Sequence, residues 1–314
     1  MKTKEKKKMK WPFVVGIILV LLILIFFVFS FLLAKYIMAD GRRQTLEEAK
    51  KWQSEHCDIS YFNEENCVNY TVKGYEDYEL HVTYYPNSEE TDKYIILSHG
   101  YTDNRMGNLK YLEMYLDLGF NCIIYDLRGH GENAKAITTY GNYEAKDLIK
   151  IIEDTRNRYQ GIKELGLHGE SLGSATTITA LQYKPEVDFA VTDCPFADIE
   201  NVLRGGARSA KLPEFLIDIM NIGSKIRYGL SLDDMRPINA IVDNKVPILL
   251  IHGAADSFIV PDNSKRLYEA DPGYKEFYTI EGASHAMSIF EDRELYIQYV
   301  TGFLNTVESG MADK

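Results

Sequence analysis

The sequence Gly169-Glu170-Ser171-Leu172-Gly173 follows an apolar run over residues 164–168 and precedes a helical stretch that begins at Ser174. It has the form G-x-S-x-G between a predicted strand and a predicted helix. So sharp a turn strains the serine backbone and lifts its hydroxyl above the sheet, and the flanking glycines remove side chains that would clash. The pattern predicts Ser171 as a nucleophile, and a serine needs a nearby base for that role.

Continuous apolar runs alternate with amphipathic stretches on both sides of this segment. Such alternation is typical of parallel strands buried by helices on both faces of a sheet, so we predict an α/β domain with a mainly parallel sheet. A predicted hairpin precedes the alternation. The predicted strands span residues 68–73, 78–85, 94–98, 121–125, 164–168, 189–192, 247–251 and 276–280. The predicted helices span residues 44–55, 109–118, 143–158, 174–183, 263–268 and 291–306.

The sequence divides into five segments. Residues 1–11 form a basic N-terminus, residues 12–34 an apolar helix, residues 35–67 a linker with a helix, residues 68–308 the α/β domain, and residues 309–314 a tail. Residues 197–242 interrupt the alternation with mostly helical sequence. We interpret them as a small cap over the carboxyl edge of the sheet, where such folds place their pockets.

The apolar segment at residues 12–34 has no formal charge, and a helix of this length crosses about 30 Å of hydrocarbon. A secretory signal peptide is the alternative, but its apolar region is usually about 7–15 residues long and ends at a small-x-small site. Leu33-Ala34-Lys35-Tyr36 offers no such site, which favours an uncleaved transmembrane anchor. Six lysines precede the segment, so the positive-inside rule predicts a single-pass protein of the cell membrane, with a cytoplasmic N-terminus and an extracellular domain.

Charge and cysteine content narrow the class of protein further. The net charge is −11 although the first ten residues are strongly basic, so the rest of the chain is acidic. An acidic domain lacks the basic surface that a nucleic-acid-binding protein uses to contact phosphates. Four cysteines without a C-x-x-C pair do not suggest a zinc site. Cys57 and Cys67 are close enough in sequence to form a disulfide, and the sequence leaves open whether they do.

The G-x-S-x-G segment in this context resembles the α/β-hydrolase superfamily. The resemblance is strongest to compact serine hydrolases related to bacterial esterases, monoglyceride lipases and the prolyl-oligopeptidase catalytic domain, and it covers approximately residues 68–306. It implies the α/β-hydrolase fold and a catalytic triad in the chain order nucleophile, acid, histidine.

Two histidines follow Ser171 in the chain. His285 lies in a small-residue loop after the last predicted strand and is the predicted general base, whereas His252 ends a strand and is predicted to support a loop. The predicted acid is Asp256, in the loop after the penultimate strand, where members of the superfamily carry it. Asp262 and Asp193 are the alternatives.

The segment Ser98-His99-Gly100-Tyr101 follows another predicted strand and resembles the His-Gly oxyanion turn of the superfamily. The resemblance implies that the backbone N–H groups of Tyr101 and Leu172 hold the oxyanion.

Together these features predict a membrane-anchored serine esterase that acts on a small-molecule or lipid acyl substrate and requires no metal or other cofactor. The alternatives are a prolyl-oligopeptidase-like peptidase and a binding module without catalytic activity. The sequence leaves the oligomeric state open.

Overall fold

The computed structural model of the protein describes residues 11–311. Most of the predicted basic N-terminus and the last three residues of the predicted tail therefore lie outside the described residues. Within the described range, one sheet contains the strands β1 (Val68–Lys73), β2 (Glu79–Tyr85), β3 (Lys93–Ser98), β4 (Asn121–Tyr125), β5 (Glu164–Glu170), β6 (Phe189–Asp193), β7 (Ile248–Gly253) and β8 (Lys275–Ile280).

The α-helices of the described range surround this sheet. They are α1 (Trp11–Met38), α2 (Leu46–His56), α3 (Leu109–Asp117), α4 (Asn142–Arg158), α5 (Leu172–Leu181), α6 (Ile199–Ser209), α7 (Phe215–Tyr228), α8 (Pro237–Ala240), α9 (Asp262–Ala270), α10 (Ser288–Glu291) and α11 (Arg293–Glu308).

The strands lie in the order β1-β2-β4-β3-β5-β6-β7-β8. The hairpin strands β1 and β2 run antiparallel to their neighbours, and the remaining strands pair in parallel. The predicted mainly parallel sheet with helices on both faces is therefore confirmed.

The strands in the middle of the sheet are buried on both faces. Ile96 of β3 belongs to one apolar cluster, whereas its neighbours Ile95 and Leu97 belong to the other. Successive side chains of a strand point to opposite faces, so the two clusters lie on the two sides of the sheet. This double burial explains why the strands are continuous apolar runs in the sequence.

Helix α1 is longer than the predicted apolar segment and, of the helices in residues 11–311, it alone has the length and composition of a membrane span. Most side chains in its first half, from Trp11 to Phe26, are exposed. Its last turns pack against α7, and Ala34 and Met38 belong to the core of the α/β domain.

The chain after α1 is tied to the domain by backbone hydrogen bonds. The Thr138 amide donates to the Met38 carbonyl at 2.8 Å, and the Gln44 amide donates to the Thr102 carbonyl at 2.8 Å. Helix α2 then begins with a capping box between Thr45 and Glu48. The first part of the predicted linker is thus fixed against the domain.

The segment predicted as a cap connects β6 to β7 and contains α6, α7 and α8. Asp198 caps α6, and Gly229 ends α7 in the left-handed conformation that glycine adopts without steric cost. The four cysteines, all within the described range, carry free thiols.

Candidate active site

Ser171 occupies the turn between β5 and α5, with φ 52° and ψ −110°. A Cβ on Gly169 would lie 2.3 Å from the carbonyl oxygen of Gly173, and one on Gly173 would lie 2.0 Å from that of Ser98. Both distances are too short for any side chain, so glycine is required on each side of the serine. This crowding is the physical reason for the G-x-S-x-G pattern.

A chain of hydrogen bonds connects the three residues predicted as a triad. The Oγ of Ser171 lies 2.9 Å from Nε2 of His285, and Nδ1 of His285 lies 2.7 Å from Oδ2 of Asp256. The structure therefore brings together side chains from three loops at the carboxyl edge of the sheet. The distances suit proton transfer from the hydroxyl to the imidazole.

The loops that carry Asp256 and His285 hold one another in place. The Ala255 amide donates to the Ala283 carbonyl at 2.9 Å. A Cβ on Gly253 would lie 2.4 Å from the same carbonyl oxygen, so the loops touch through their backbones. The ring of Phe258 packs edge-on against the His285 imidazole, with centroids 5.1 Å apart.

Asp256 is buried in a site built for a carboxylate. Its Oδ1 accepts hydrogen bonds from the amides of Phe258 and Ile259, both at 2.9 Å. Burial opposes ionisation, but hydrogen bonds from His252 and His285, together with the Ile259 amide, hold the Asp256 pKa well below its ordinary value. Asp256 is thus ionised at neutral pH and able to stabilise a protonated imidazole.

His252, predicted to support a loop, does so through both ring nitrogens. Its Nε2 lies 2.6 Å from the Ile259 carbonyl oxygen and 3.3 Å from Oδ2 of Asp256, and its Nδ1 lies 2.6 Å from Oγ of Ser264. The ring therefore fixes the loop that carries the acid and makes no hydrogen bond to Ser171.

The two alternative acids lie elsewhere. Asp262 is the first residue of α9 and makes no hydrogen bond to His285. Asp193 is fully buried, and its carboxylate accepts from Tyr111 at 3.0 Å and from Ser288 at 2.9 Å. Asp256 is the carboxylate that contacts the imidazole.

The loop after β3 lies beside the serine. A Cβ on Gly100 would lie 3.7 Å from Cβ of Ser171, and both Tyr101 and Leu172 line the same pocket as Ser171. Within residues 11–311, neither the Tyr101 nor the Leu172 backbone amide is paired with an acceptor. Both amides are therefore free to donate a hydrogen bond.

This pocket has a volume of about 360 Å³, in the range of small-molecule sites. Its wall is mainly apolar, and much of it comes from three parts of the chain. The cap helix α6 contributes Ile199, Val202 and Leu203, and the loop after β7 contributes Phe258 and Ile259.

The third part of the wall is the end of α1 and the residues that follow it, namely Tyr36, Ile37, Asp40, Gly41 and Arg42. Sequence reasoning missed this contribution. A residue near the end of an apolar helix carries no sequence signal for a pocket, because the contact depends on how the helix packs against the domain.

A second feature that sequence reasoning missed is a buried charge cluster beneath the serine. The Nζ of Lys110 forms an ion pair with Glu170, the residue before Ser171, and the Tyr111 hydroxyl donates to Glu170 at 2.8 Å. Burial lowers the pKa of Lys110, but the Glu170 carboxylate more than offsets this effect and keeps the Lys110 pKa above its ordinary value. The cluster supports the turn that carries the nucleophile.

The described residues contain no group of three or more His, Cys, Asp or Glu side chains placed to hold a metal ion.

Comparison with known proteins gives matches over most of the chain. The family model described as "Serine aminopeptidase, S33" matches residues 89–240. An uncharacterized protein, YqkD of Bacillus subtilis (strain 168), is 35% identical over 249 residues, which cover 77% of this chain and 78% of that protein. Alpha/beta hydrolase domain-containing protein 17C of Xenopus tropicalis is 29% identical over 216 residues, and the match spans only 58% of its length.

A solved structure, the Pyrococcus furiosus esterase Pf2001, superposes with a TM-score of 0.63 at 24% identity. The superposition covers 78% of this chain and 95% of the esterase. At that identity the likeness shows a shared fold.

Proposed function

From the premise that the chain belongs to the α/β-hydrolase superfamily and is a hydrolase, we propose that it is a membrane-anchored serine esterase with Ser171, His285 and Asp256 as its triad. The observation that carries the proposal is the hydrogen-bonded chain from Ser171 through His285 to Asp256.

The reaction begins with proton transfer. His285 takes the proton of the Ser171 hydroxyl as the oxygen attacks the ester carbonyl, and Asp256 stabilises the resulting imidazolium. The amides of Tyr101 and Leu172 donate to the oxyanion. His285 then gives the proton to the leaving alcohol, which departs as the acyl-enzyme forms on Ser171.

Water completes the cycle. His285 removes a proton from a water molecule that attacks the acyl-enzyme carbonyl, and the tetrahedral intermediate collapses to release the acid and restore the Ser171 hydroxyl. All proton transfers in both steps use the same imidazole.

The composition of the pocket supports an acyl ester as the substrate. Apolar side chains of α6 and of the loop after β7 form most of the wall, which suits a hydrocarbon chain. We therefore assign the pocket to the acyl group.

A peptidase is the second candidate, because the matching family model is described as a serine aminopeptidase. An aminopeptidase must hold the substrate's ammonium group, which calls for a carboxylate in the pocket. Of the described residues, Asp40 is the carboxylate that lines the pocket, and it already forms a solvent-exposed ion pair with Lys35 at 2.9 Å. This pairing favours the esterase.

The direction of the membrane anchor is also part of the proposal. The charge bias around α1 supports a cytoplasmic N-terminus and an extracellular domain. The burial of Ala34 and Met38 in the core supports an anchor that stays attached, because cleavage at the end of α1 would uncover that core.

A substrate panel tests the proposal. The purified full chain is assayed with p-nitrophenyl esters from acetate to palmitate and with aminoacyl and dipeptidyl p-nitroanilides. We expect hydrolysis of esters at least about 100-fold faster than hydrolysis of anilides, and its loss in Ser171→Ala. Faster cleavage of the anilides would favour the peptidase, and hydrolysis of neither class would favour a binding module.

A further inference from the structure

We propose that the cap helix α7 lies in the lipid headgroup layer beside α1, and that the ester cleaved at Ser171 belongs to a lipid that enters the pocket from that membrane. The inference rests on the proposed function and on α1 crossing the membrane.

Helix α7 is fixed against the end of α1. The buried residues Ser30, Ala34 and Met38 are spaced by four and therefore share one side of α1. A Cβ on Gly223 of α7 would lie 2.1 Å from the Ser30 carbonyl oxygen, and the Ser224 hydroxyl lies 3.1 Å from Sδ of Met38. The two helices are in contact over the last turns of α1.

The length of α1 sets the level of this contact relative to a bilayer. Its 28 residues extend about 42 Å, which matches the roughly 40–45 Å of a bilayer with its headgroups. Lys35 is the first charged residue after the apolar stretch, so it marks where the helix leaves the hydrocarbon. Ser30 precedes Lys35 by five residues, about 7.5 Å along the helix, and its contact Gly223 lies at the same depth, which is that of a helix in the membrane interface.

Helix α7 exposes an apolar stripe at this level. Phe215, Ile222 and Ile226 are 57%, 41% and 56% exposed, and their spacing of seven and four residues places them on one side of the helix. Leu212, just before the helix, is also exposed. Water-soluble domains seldom expose so many large apolar side chains together.

Helix α7 packs against α1, whose exposed surface is apolar, so a bilayer that surrounds α1 would also cover the stripe. The exposed cations near the stripe are Lys211, Lys225 and Arg227, and the acid of α7, Asp218, is paired with Arg204. Basic side chains at this level suit the phosphates of lipid headgroups. Apolar and basic groups are thus arranged as in a helix that lies in a membrane interface.

The pocket of Ser171 opens at the same level. Tyr36 and Ile37, which follow Lys35 in α1, line it together with residues of α6. The ester groups of membrane lipids lie at the boundary between hydrocarbon and headgroups, so an acyl chain reaches the pocket along α1 without crossing water.

Two substrates separate this inference from the proposed function. The full chain is reconstituted in vesicles of phosphatidylcholine with phosphatidylglycerol and is assayed with water-soluble p-nitrophenyl acetate and with a fluorogenic long-chain acylglycerol in the vesicle bilayer. In Ile222→Ser/Ile226→Ser we expect acylglycerol hydrolysis to fall at least about 10-fold and acetate hydrolysis to stay within about two-fold of wild type.

Val68→Ser is the matched control. Val68 is 53% exposed, close to the exposure of Ile226, but it begins β1 and lies away from the carboxyl ends of the parallel strands. It should leave both rates unchanged. Equal loss on both substrates in the α7 variant, or loss on neither, would overturn the inference.

A fluorescence measurement tests the position of α7 without relying on activity. Tryptophan is introduced at Ile226 or at Val68 in a Trp11→Phe/Trp52→Phe background, which removes both native tryptophans. We expect brominated phosphatidylcholine to quench Trp at position 226 and not at position 68. Absence of quenching at position 226, together with cross-linked dimers, would show that a second copy of the chain covers α7 and would overturn the inference.

A wild type that hydrolyses neither substrate would overturn the proposed function and the assignment of a lipid substrate. Quenching at position 226 would still show helix α7 to be in the bilayer.

Discussion

The Nδ1 of His285 lies 2.7 Å from Oδ2 of Asp256, and the other oxygen of that carboxylate is held by two backbone amides. The carboxylate is therefore oriented toward the imidazole before any substrate binds. In the proposed mechanism this contact fixes the tautomer in which Nε2 accepts the Ser171 proton.

Asp256→Asn should lower kcat for ester hydrolysis by about 10⁴-fold, because an amide neither enforces that tautomer nor stabilises the imidazolium. Steady-state kinetics with a p-nitrophenyl ester measure the effect. Asp262→Asn is the matched control from the same part of the chain and should leave kcat within about two-fold. A larger loss in Asp262→Asn than in Asp256→Asn would contradict the assignment of the acid.

The contact between Gly223 and Ser30 predicts a difference between two helical glycines of the cap. Gly223→Ala forces a methyl group against the α1 backbone and should lower the free energy of unfolding by about 1–3 kcal/mol. A Cβ on Gly206 in α6 meets nothing within 4 Å. Gly206→Ala should therefore raise the free energy of unfolding by about 0.5–1 kcal/mol, because alanine favours a helix more than glycine does. Thermal unfolding of the full chain in detergent measures both, and equal stabilisation by both would show that α1 does not pack against α7.

Asp193 predicts a pH dependence of stability. Burial and the neighbouring Glu170 carboxylate raise the pKa of Asp193 to about 6, whereas the pKa of an aspartate in an unfolded chain is about 3.9. Because the folded state keeps this proton to higher pH, the free energy of unfolding should fall as the pH rises from about 4 to about 6, by at most about 3 kcal/mol.

Urea unfolding in detergent between pH 4 and pH 8 measures this fall. Asp193→Asn removes the titrating group, so its free energy of unfolding should decrease less than that of wild type over that range. Asp233→Asn, which changes an exposed carboxylate of the cap, should keep the wild-type profile. An unchanged profile in Asp193→Asn would show that Asp193 does not take up a proton in this range.

The fold could be predicted from the sequence because its central strands are buried on both faces. Runs such as residues 94–98 and 121–125 lack the polar alternation of a half-exposed strand, and the strands lie within about two residues of the predicted positions. The elements in the cap were harder to place. Their helices present apolar residues to the core, to α1 and to the surface, so their periodicity does not indicate a single buried face.

The site could be predicted in part. The glycines around Ser171 are imposed by local crowding and therefore appear as a motif, and the loops that follow β7 and β8 bring Asp256 and His285 to the same edge of the sheet. Lys110 could not be predicted as a buried charge, because its partner Glu170 is brought close only by the folded topology.

Mapping a covalent adduct tests the central claim most directly. The full chain is treated with a fluorophosphonate probe, digested and analysed by tandem mass spectrometry, with Ser171→Ala and the exposed-site control Ser209→Ala in parallel. We expect one adduct, on Ser171, in wild type and in Ser209→Ala, and neither adduct nor ester hydrolysis in Ser171→Ala. An adduct on another residue, or ester hydrolysis that persists in Ser171→Ala, would contradict the assignment of Ser171 as the nucleophile.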